Sequence, residues 1–235
     1  MQYVMLVRVD EALAETEGGE DVTPWVEEGA RTGLRVEGRP LEEPSTATTV
    51  RVRDGSVLIS DGPFVETKEI VAGYDLLEAP DLEAAIDYAS RHPVAAFGAL
   101  ELREVWPDFV ADAAEPLPEP RADGADYLFL HVPDPELLKT ATRETGDPTP
   151  WVRDVEQRGV TLGGYRLRDE PEASAIVRKR GGETLIAHGP FAEWSEQIAG
   201  IDRVRVGSRD EALALAAAHP TAHIGAIEVR KQISF

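Results

Sequence analysis

The pattern of apolar and polar positions runs through this chain twice. Tyr3 to Val9 is an apolar, β-branched run that reads as a strand, and Tyr127 to Val132 repeats it. Thr23, as N-cap before Pro24, predicts a helix to about Gly33, with Glu27 and Glu28 near its positive end. Thr149 and Pro150 open the copy, which runs to about Gly159. Val50, Val52, Val57 and Ile59 flank Asp54-Gly55, a pair that tolerates the positive φ angles of a tight hairpin. Ile176, Val177, Leu185 and Ile186 flank Gly181-Gly182 in the same way. Ala72 to Ala79 reads as a further strand. Asp81 then caps a helix whose Leu82, Ala85, Ile86 and Ala89 keep one buried face. Ser208 and Glu211 form a capping box at its counterpart. His92-Pro93 and His219-Pro220 end these helices, since the residue before proline is pushed out of the helical region. Phe97 to Val105 and Ile224 to Ile233 close the halves as strands.

The repetition extends to the letters. Asp61-Gly62-Pro63-Phe64-Val65-Glu66 and His188-Gly189-Pro190-Phe191-Ala192-Glu193 lie 127 residues apart, and eight of fifteen aligned positions from Asp61 and His188 onward are identical. Thr23-Pro24-Trp25-Val26 recurs as Thr149-Pro150-Trp151-Val152. A unit of this length is a domain, because solenoid repeats run at roughly 20 to 50 residues. The expected fold is α+β: two tandem ferredoxin-like (βαββαβ-type) domains over 1–106 and 127–235, joined by a Pro- and acid-rich linker over 107–126. Helices cover one face of each sheet. Packing the other faces together as a pseudo-dimeric α+β barrel is the economical way to bury them.

Composition narrows the partners. The net charge of −20 opposes nucleic acid and anionic membrane surfaces. The chain has no cysteine, so thiolate chemistry and cysteine-ligated metals are excluded. The opening apolar run is too short for a signal peptide or membrane span. The expectation is a cytoplasmic protein with no membrane or nucleic-acid partner and no cofactor, paired within itself, with a further homodimer left open.

The stretch Pro44-Ser45-Thr46-Ala47-Thr48-Thr49-Val50-Arg51-Val52-Arg53-Asp54-Gly55, followed by Asp61-Gly62-Pro63-Phe64-Val65-Glu66-Thr67-Lys68-Glu69, resembles the DGPF group of the YCII-related family. The match is sharpest in the first half. The resemblance implies a ferredoxin-like fold pairing into a dimeric α+β barrel, activities akin to small-molecule lyases and isomerases, and a genetic association with alternative sigma factors. In the second half His188 replaces the aspartate, Trp194 the threonine and Ser195 the lysine.

Asp61 and Lys68 therefore stand as the candidate base and electrostatic partner, with His188 as the altered counterpart. Glu66, Thr67, Glu193, Trp194 and His131 are the candidate ligand-binding residues. Gly62, Pro63 and Phe64 also suit a rigid turn with a core plug, with Asp61 capping the turn. His92 and His219 read as imidazolium caps at helix C-termini. No metal site is expected, because Pro220 breaks the helix that would align His219 with His223. Trp25 and Trp151 read as core anchors, and Arg178, Lys179 and Arg180 as a solvated sheet edge. A non-catalytic ligand-binding or regulatory protein is the alternative to a cofactor-independent enzyme.

Overall fold

The computed structural model describes residues 1–10, 12–14, 21–64, 69–107, 119–142, 146–191 and 197–233. The first repeat contributes β1 (Gln2–Asp10), α1 (Thr23–Thr32), β2 (Arg35–Pro40), β3 (Thr48–Arg53), β4 (Ser56–Asp61), β5 (Glu69–Glu78), α2 (Leu82–Ser90) and β6 (Gly98–Glu104). The second contributes β7 (Ala125–Pro133), α3 (Pro135–Thr140), α4 (Thr149–Gln157), β8 (Thr161–Arg166), β9 (Ser174–Arg180), β10 (Glu183–His188), β11 (Gly200–Val206), α5 (Arg209–Ala218), α6 (Pro220–Ile224) and β12 (Gly225–Lys231).

These strands form two six-stranded sheets, β10-β9-β6-β1-β5-β2 and β4-β3-β12-β7-β11-β8, in which neighbouring strands pair antiparallel. The hairpins form where the sequence places them. Asp54 and Gly55 take φ of 51° and 74°, and Gly181 and Gly182 take 59° and 84°, as a two-residue primed turn requires. Their sheet partners are not local. β3 pairs with β12, and β9 with β6, so each repeat lends its hairpin to the sheet of the other. The compact units interleave accordingly: unit 1 is Met1–Leu41, Glu66–Trp106 and Leu167–Phe191, and unit 2 is the remainder. Arg178 to Arg180 thus lie on an inner strand. Arg178 pairs with Glu69 at 2.7 Å, and Arg180 donates to the carbonyls of Ala95, Ala96 and Gly98, so these cations tie a borrowed strand into its host rather than guarding an edge.

Each unit has its own core. Val177 of the borrowed hairpin joins Tyr3, Met5, Trp25, Leu77, Tyr88 and Leu100 in unit 1, and Val50 joins Phe129, Trp151, Val155, Val204 and Ile227 in unit 2. Trp25 and Trp151 are both buried and donate their indole N–H to Tyr88 O and Leu215 O at 3.0 Å, which satisfies the polar atom inside an apolar anchor. Asp81 accepts from Ala84 N, and Ser208 from Glu211 N, as expected of N-caps. Thr23 and Thr149 are inside their helices instead. Asp21 and Asp147 receive their N–H groups at 2.9 Å, because a carboxylate two residues ahead reaches the first turn better than the threonine hydroxyl. No helix of the described residues is long and apolar enough to cross a membrane.

Candidate functional site

The duplicated Gly-Pro-Phe turn has an architectural task. Phe64 N–H donates to Glu228 at 3.0 Å, and Phe191 N–H to Glu101 at 3.2 Å, so each turn is pinned by a carboxylate on a last strand. Glu101 is buried between Arg8 (2.8 Å) and Arg103 (3.3 Å). Burial alone would raise its pKa, and the two guanidiniums outweigh that and hold it below the usual carboxylate range. The backbone, not Asp61, closes the first turn, through Gly62 N–H to Ala47 O at 2.9 Å. Asp61 ends β4 with its side chain 92% exposed, 3.6 Å from Arg209, and His188 ends β10 and is also exposed. Glu66, Thr67, Lys68, Glu193 and Trp194 lie outside the described residues.

The chemistry that the structure brings together lies elsewhere, around an aspartate that both repeats share. In unit 2 the register pairs Arg166 with Gly200, Gly200 with His131, and Gly164 with Asp202. Residues paired across strands share a face, so Arg166, Gly200, His131 and Asp202 all stand on the helix-covered side of the sheet. Gly164 is required there, because a Cβ would sit 2.1 Å from the Asp202 carboxylate. These residues border a cavity of about 260 Å³ that Ile201, Pro220 and Ile224 complete on the apolar side.

His131 Nε2 lies 2.9 Å from Asp202 Oδ2 and His219 Nε2 lies 3.7 Å from the same oxygen. The His131 contact lacks the alignment of a good hydrogen bond, so it is chiefly electrostatic. Burial would lift the Asp202 pKa. His131, above all, reverses this and holds the carboxyl below its usual range. His219 is buried and its pKa falls to about 3, through desolvation first and the neighbouring His131 second. It is therefore neutral at pH 7.

Its tautomer follows from its other nitrogen. His219 Nδ1 accepts from Thr221 N at 3.1 Å and caps α6, as His92 Nδ1 accepts from Val94 N at 3.1 Å in the first repeat. Both histidines thus cap the start of the following helix in neutral form. The imidazolium cap at a helix C-terminus is corrected: burial drives His92 down to about 4, and the nitrogen needed is a bare acceptor. With Nδ1 bare, neutral His219 carries its proton on Nε2.

His131, Asp202 and His219 are of metal-ligand type and their facing atoms lie within 4.8 Å of one another. The His219 nitrogen that faces the group is a proton donor, however, and a donor nitrogen offers no lone pair to a metal. The set fits proton chemistry better than metal ligation. His131 turns Nε2 to Asp202, and its Nδ1 lies 3.4 Å from the point where a Cβ of Gly200 would stand. The second nitrogen of the ring therefore faces Gly200, and both residues line the cavity. His131 was a candidate on sequence grounds. Asp202 and His219 were not, although a buried aspartate shared by both repeats beside a histidine found in only one was the available signal.

In unit 1 the equivalent Asp75 has a different neighbour. Arg35 donates to it from Nε at 2.7 Å, and Val7 and Pro40 hold the places of His131 and Arg166. Burial raises the Asp75 pKa to about 6, with Arg35 opposing the rise.

Among known proteins, an uncharacterised protein of Rhizobium meliloti (strain 1021) is 43% identical over 49 residues, a match that covers 21% of this chain and 40% of that protein. A solved structure described as an anthrone oxidase-like protein aligns with 99% of this chain and 91% of its own, at 12% identity and a TM-score of 0.35. The YCII-related domain matches twice, over residues 1–108 and 125–235, in step with the internal repeat. The chain belongs to the YCII-related domain family, and carries two copies of that domain.

Proposed function

We propose that this protein performs cofactor-independent acid–base chemistry of lyase or isomerase type on a small molecule, in the unit 2 cavity, with His131 and Asp202 as the working pair. The observation that carries this reading is the orientation of His131, with Nε2 on a buried carboxylate, Nδ1 turned to Gly200, and both residues lining the cavity. A base so placed takes a proton from a carbon next to a carbonyl. The C–H electron pair moves to the carbonyl oxygen as an enolate, and the imidazolium formed is stabilised by Asp202. The same ring returns the proton to the same or a neighbouring carbon. His219, with Nε2 3.7 Å from the Asp202 oxygen, presents its N–H dipole to that carboxylate. The Asp61-Gly62-Pro63-Phe64 motif supports membership of the DGPF subgroup. The sheet orders β6-β1-β5-β2 and β12-β7-β11-β8 support a ferredoxin-like reading of each unit.

The test is deuterium incorporation from D2O into enolisable probes (acetoacetate, pyruvate and methyl acetoacetate), followed by proton NMR. The wild-type protein is expected to exchange at least one probe, and His131→Ala and Asp202→Asn to lose that rate by 100-fold or more, on the order of what general-base catalysis supplies. Binding without exchange would instead favour a non-catalytic ligand-binding protein, and no difference between wild type and variants would contradict the proposal.

A further inference from the structure

The arrangement around Gly200 also defines what the cavity selects. Arg166, Gly200 and His131 occupy one transverse row on the same sheet face, with the glycine between a guanidinium-bearing and an imidazole-bearing residue. Neighbouring strands are spaced at about 4.8 Å, so the Arg166 and His131 backbones stand about 10 Å apart across a position without a side chain. Both residues line the cavity, and Tyr165 O and His131 Nδ1 lie 3.0 and 3.4 Å from where a Gly200 Cβ would be. In the first repeat the same row reads Pro40, Gly73, Val7, with neither a guanidinium nor an imidazole at its ends.

From this juxtaposition we infer that Arg166 is a specificity residue, and that the cavity takes a small monocarboxylate whose acid group sits on the Arg166 guanidinium while its carbon chain crosses Gly200 toward His131. A guanidinium offers a carboxylate two parallel N–H donors, which fixes the direction of the chain as well as its charge. Pro133, Leu138 and Ile224 supply the apolar lining for a short chain. The overall charge of −20 does not bar an anion, because at physiological salt exposed charges are screened beyond about 8 Å and the local cation decides.

This inference rests on the cavity being the functional site but not on catalysis there, so its test uses ligands that do not enolise readily. Formate, propionate and benzoate, each beside its amide (formamide, propionamide, benzamide), are titrated against the full chain while the Gly200 amide and the Arg166 side-chain Nε–H are followed by proton–nitrogen NMR. At least one carboxylate is expected to shift both signals saturably, with its amide at least ten-fold weaker. Arg166→Gln should remove that preference, and Gly200→Ala should weaken binding by a similar factor while the rest of the spectrum stays native. Should no carboxylate shift these signals, or should acid and amide bind alike, or should Arg166→Gln leave the preference intact, the inference is overturned. Carboxylate binding without deuterium exchange would support the specificity assignment while sinking the acid–base proposal, so the two fail separately.

Discussion

Asp75 and Asp202 occupy equivalent places in the two repeats, each facing a glycine, Gly38 or Gly164, that leaves room for its carboxylate. What neutralises them differs. Asp75 is locked to Arg35, a permanent cation that shares its space with Tyr88 and Trp25. At the place of Arg35 unit 2 has Thr161. Asp202 is left to His131 and His219, imidazoles that, unlike a guanidinium, can exist as neutral rings. The lesson is that a buried carboxylate becomes a structural lock or a working group according to whether its partner can give up charge.

That contrast sets the expected effect of removing each charge. Asp75→Asn strands the Arg35 guanidinium in a largely buried place and should cost about 3 kcal/mol of unfolding free energy in urea denaturation. Asp202→Asn leaves two histidines that can stay neutral, so its cost should be near 1 kcal/mol, with loss of exchange activity instead. Equal costs at the two sites would remove the distinction.

Acid should separate the units by a smaller amount. His92 and His219 have folded pKa values of about 4 and about 3, below the ordinary 6.5, so the unfolded chain binds protons that the folded one refuses. Stability should therefore fall as pH drops from 6.5, by about 2 kcal/mol per histidine at pH 5, from 1.36 kcal/mol per unit. Asp75 acts with the opposite sign, since its folded pKa of about 6 lies above the ordinary 3.8 and it gains a proton in the folded state first. Unit 1 recovers about 1 kcal/mol at pH 5 on this account. Amide hydrogen exchange between pH 7 and 5 should show unit 2 losing protection ahead of unit 1, and His219→Asn, which keeps a cap acceptor, should reverse that order, because His92 still destabilises unit 1 in acid.

Where the repeats agree, variants should agree. Asp81→Ala and Ser208→Ala each delete one N-cap and should cost about 1 kcal/mol apiece by thermal denaturation. The smallest stability change is expected of Thr161→Arg, which moves the first repeat's lock to the second. It should alter stability by less than about 1 kcal/mol, within the range of a solvent-accessible substitution, yet abolish carboxylate binding at Gly200.

Much of this architecture was legible because it is local. The duplicated motif, the Asp54-Gly55 and Gly181-Gly182 turns, the capping residues and the tryptophan anchors depend on near neighbours in sequence. β2 and β8 escaped, since Arg35–Pro40 and Thr161–Arg166 are rich in glycine, proline and charge and hold their places only by pairing with β5 and β11. The exchange of hairpins escaped for a related reason: a turn signal fixes the hairpin and says nothing of the strand beside it. Asp202 was hidden by its very repetition. Sharing it with Asp75 marked it as architecture, and the replacements that change its role, Val7 by His131, Arg35 by Thr161 and Pro40 by Arg166, lie far apart along the chain and meet only in the sheet.

The tautomers of His131 and His219 test the difference between the two centres most directly. A long-range proton–nitrogen spectrum of the histidine rings at pH 7 should show His219 neutral with its proton on Nε2 and Nδ1 bare, and His131 signals that move when Asp202 becomes asparagine. A His219 ring protonated on Nδ1, with a bare Nε2 aimed at Asp202, would contradict the proton-transfer account and open the site to a metal ion.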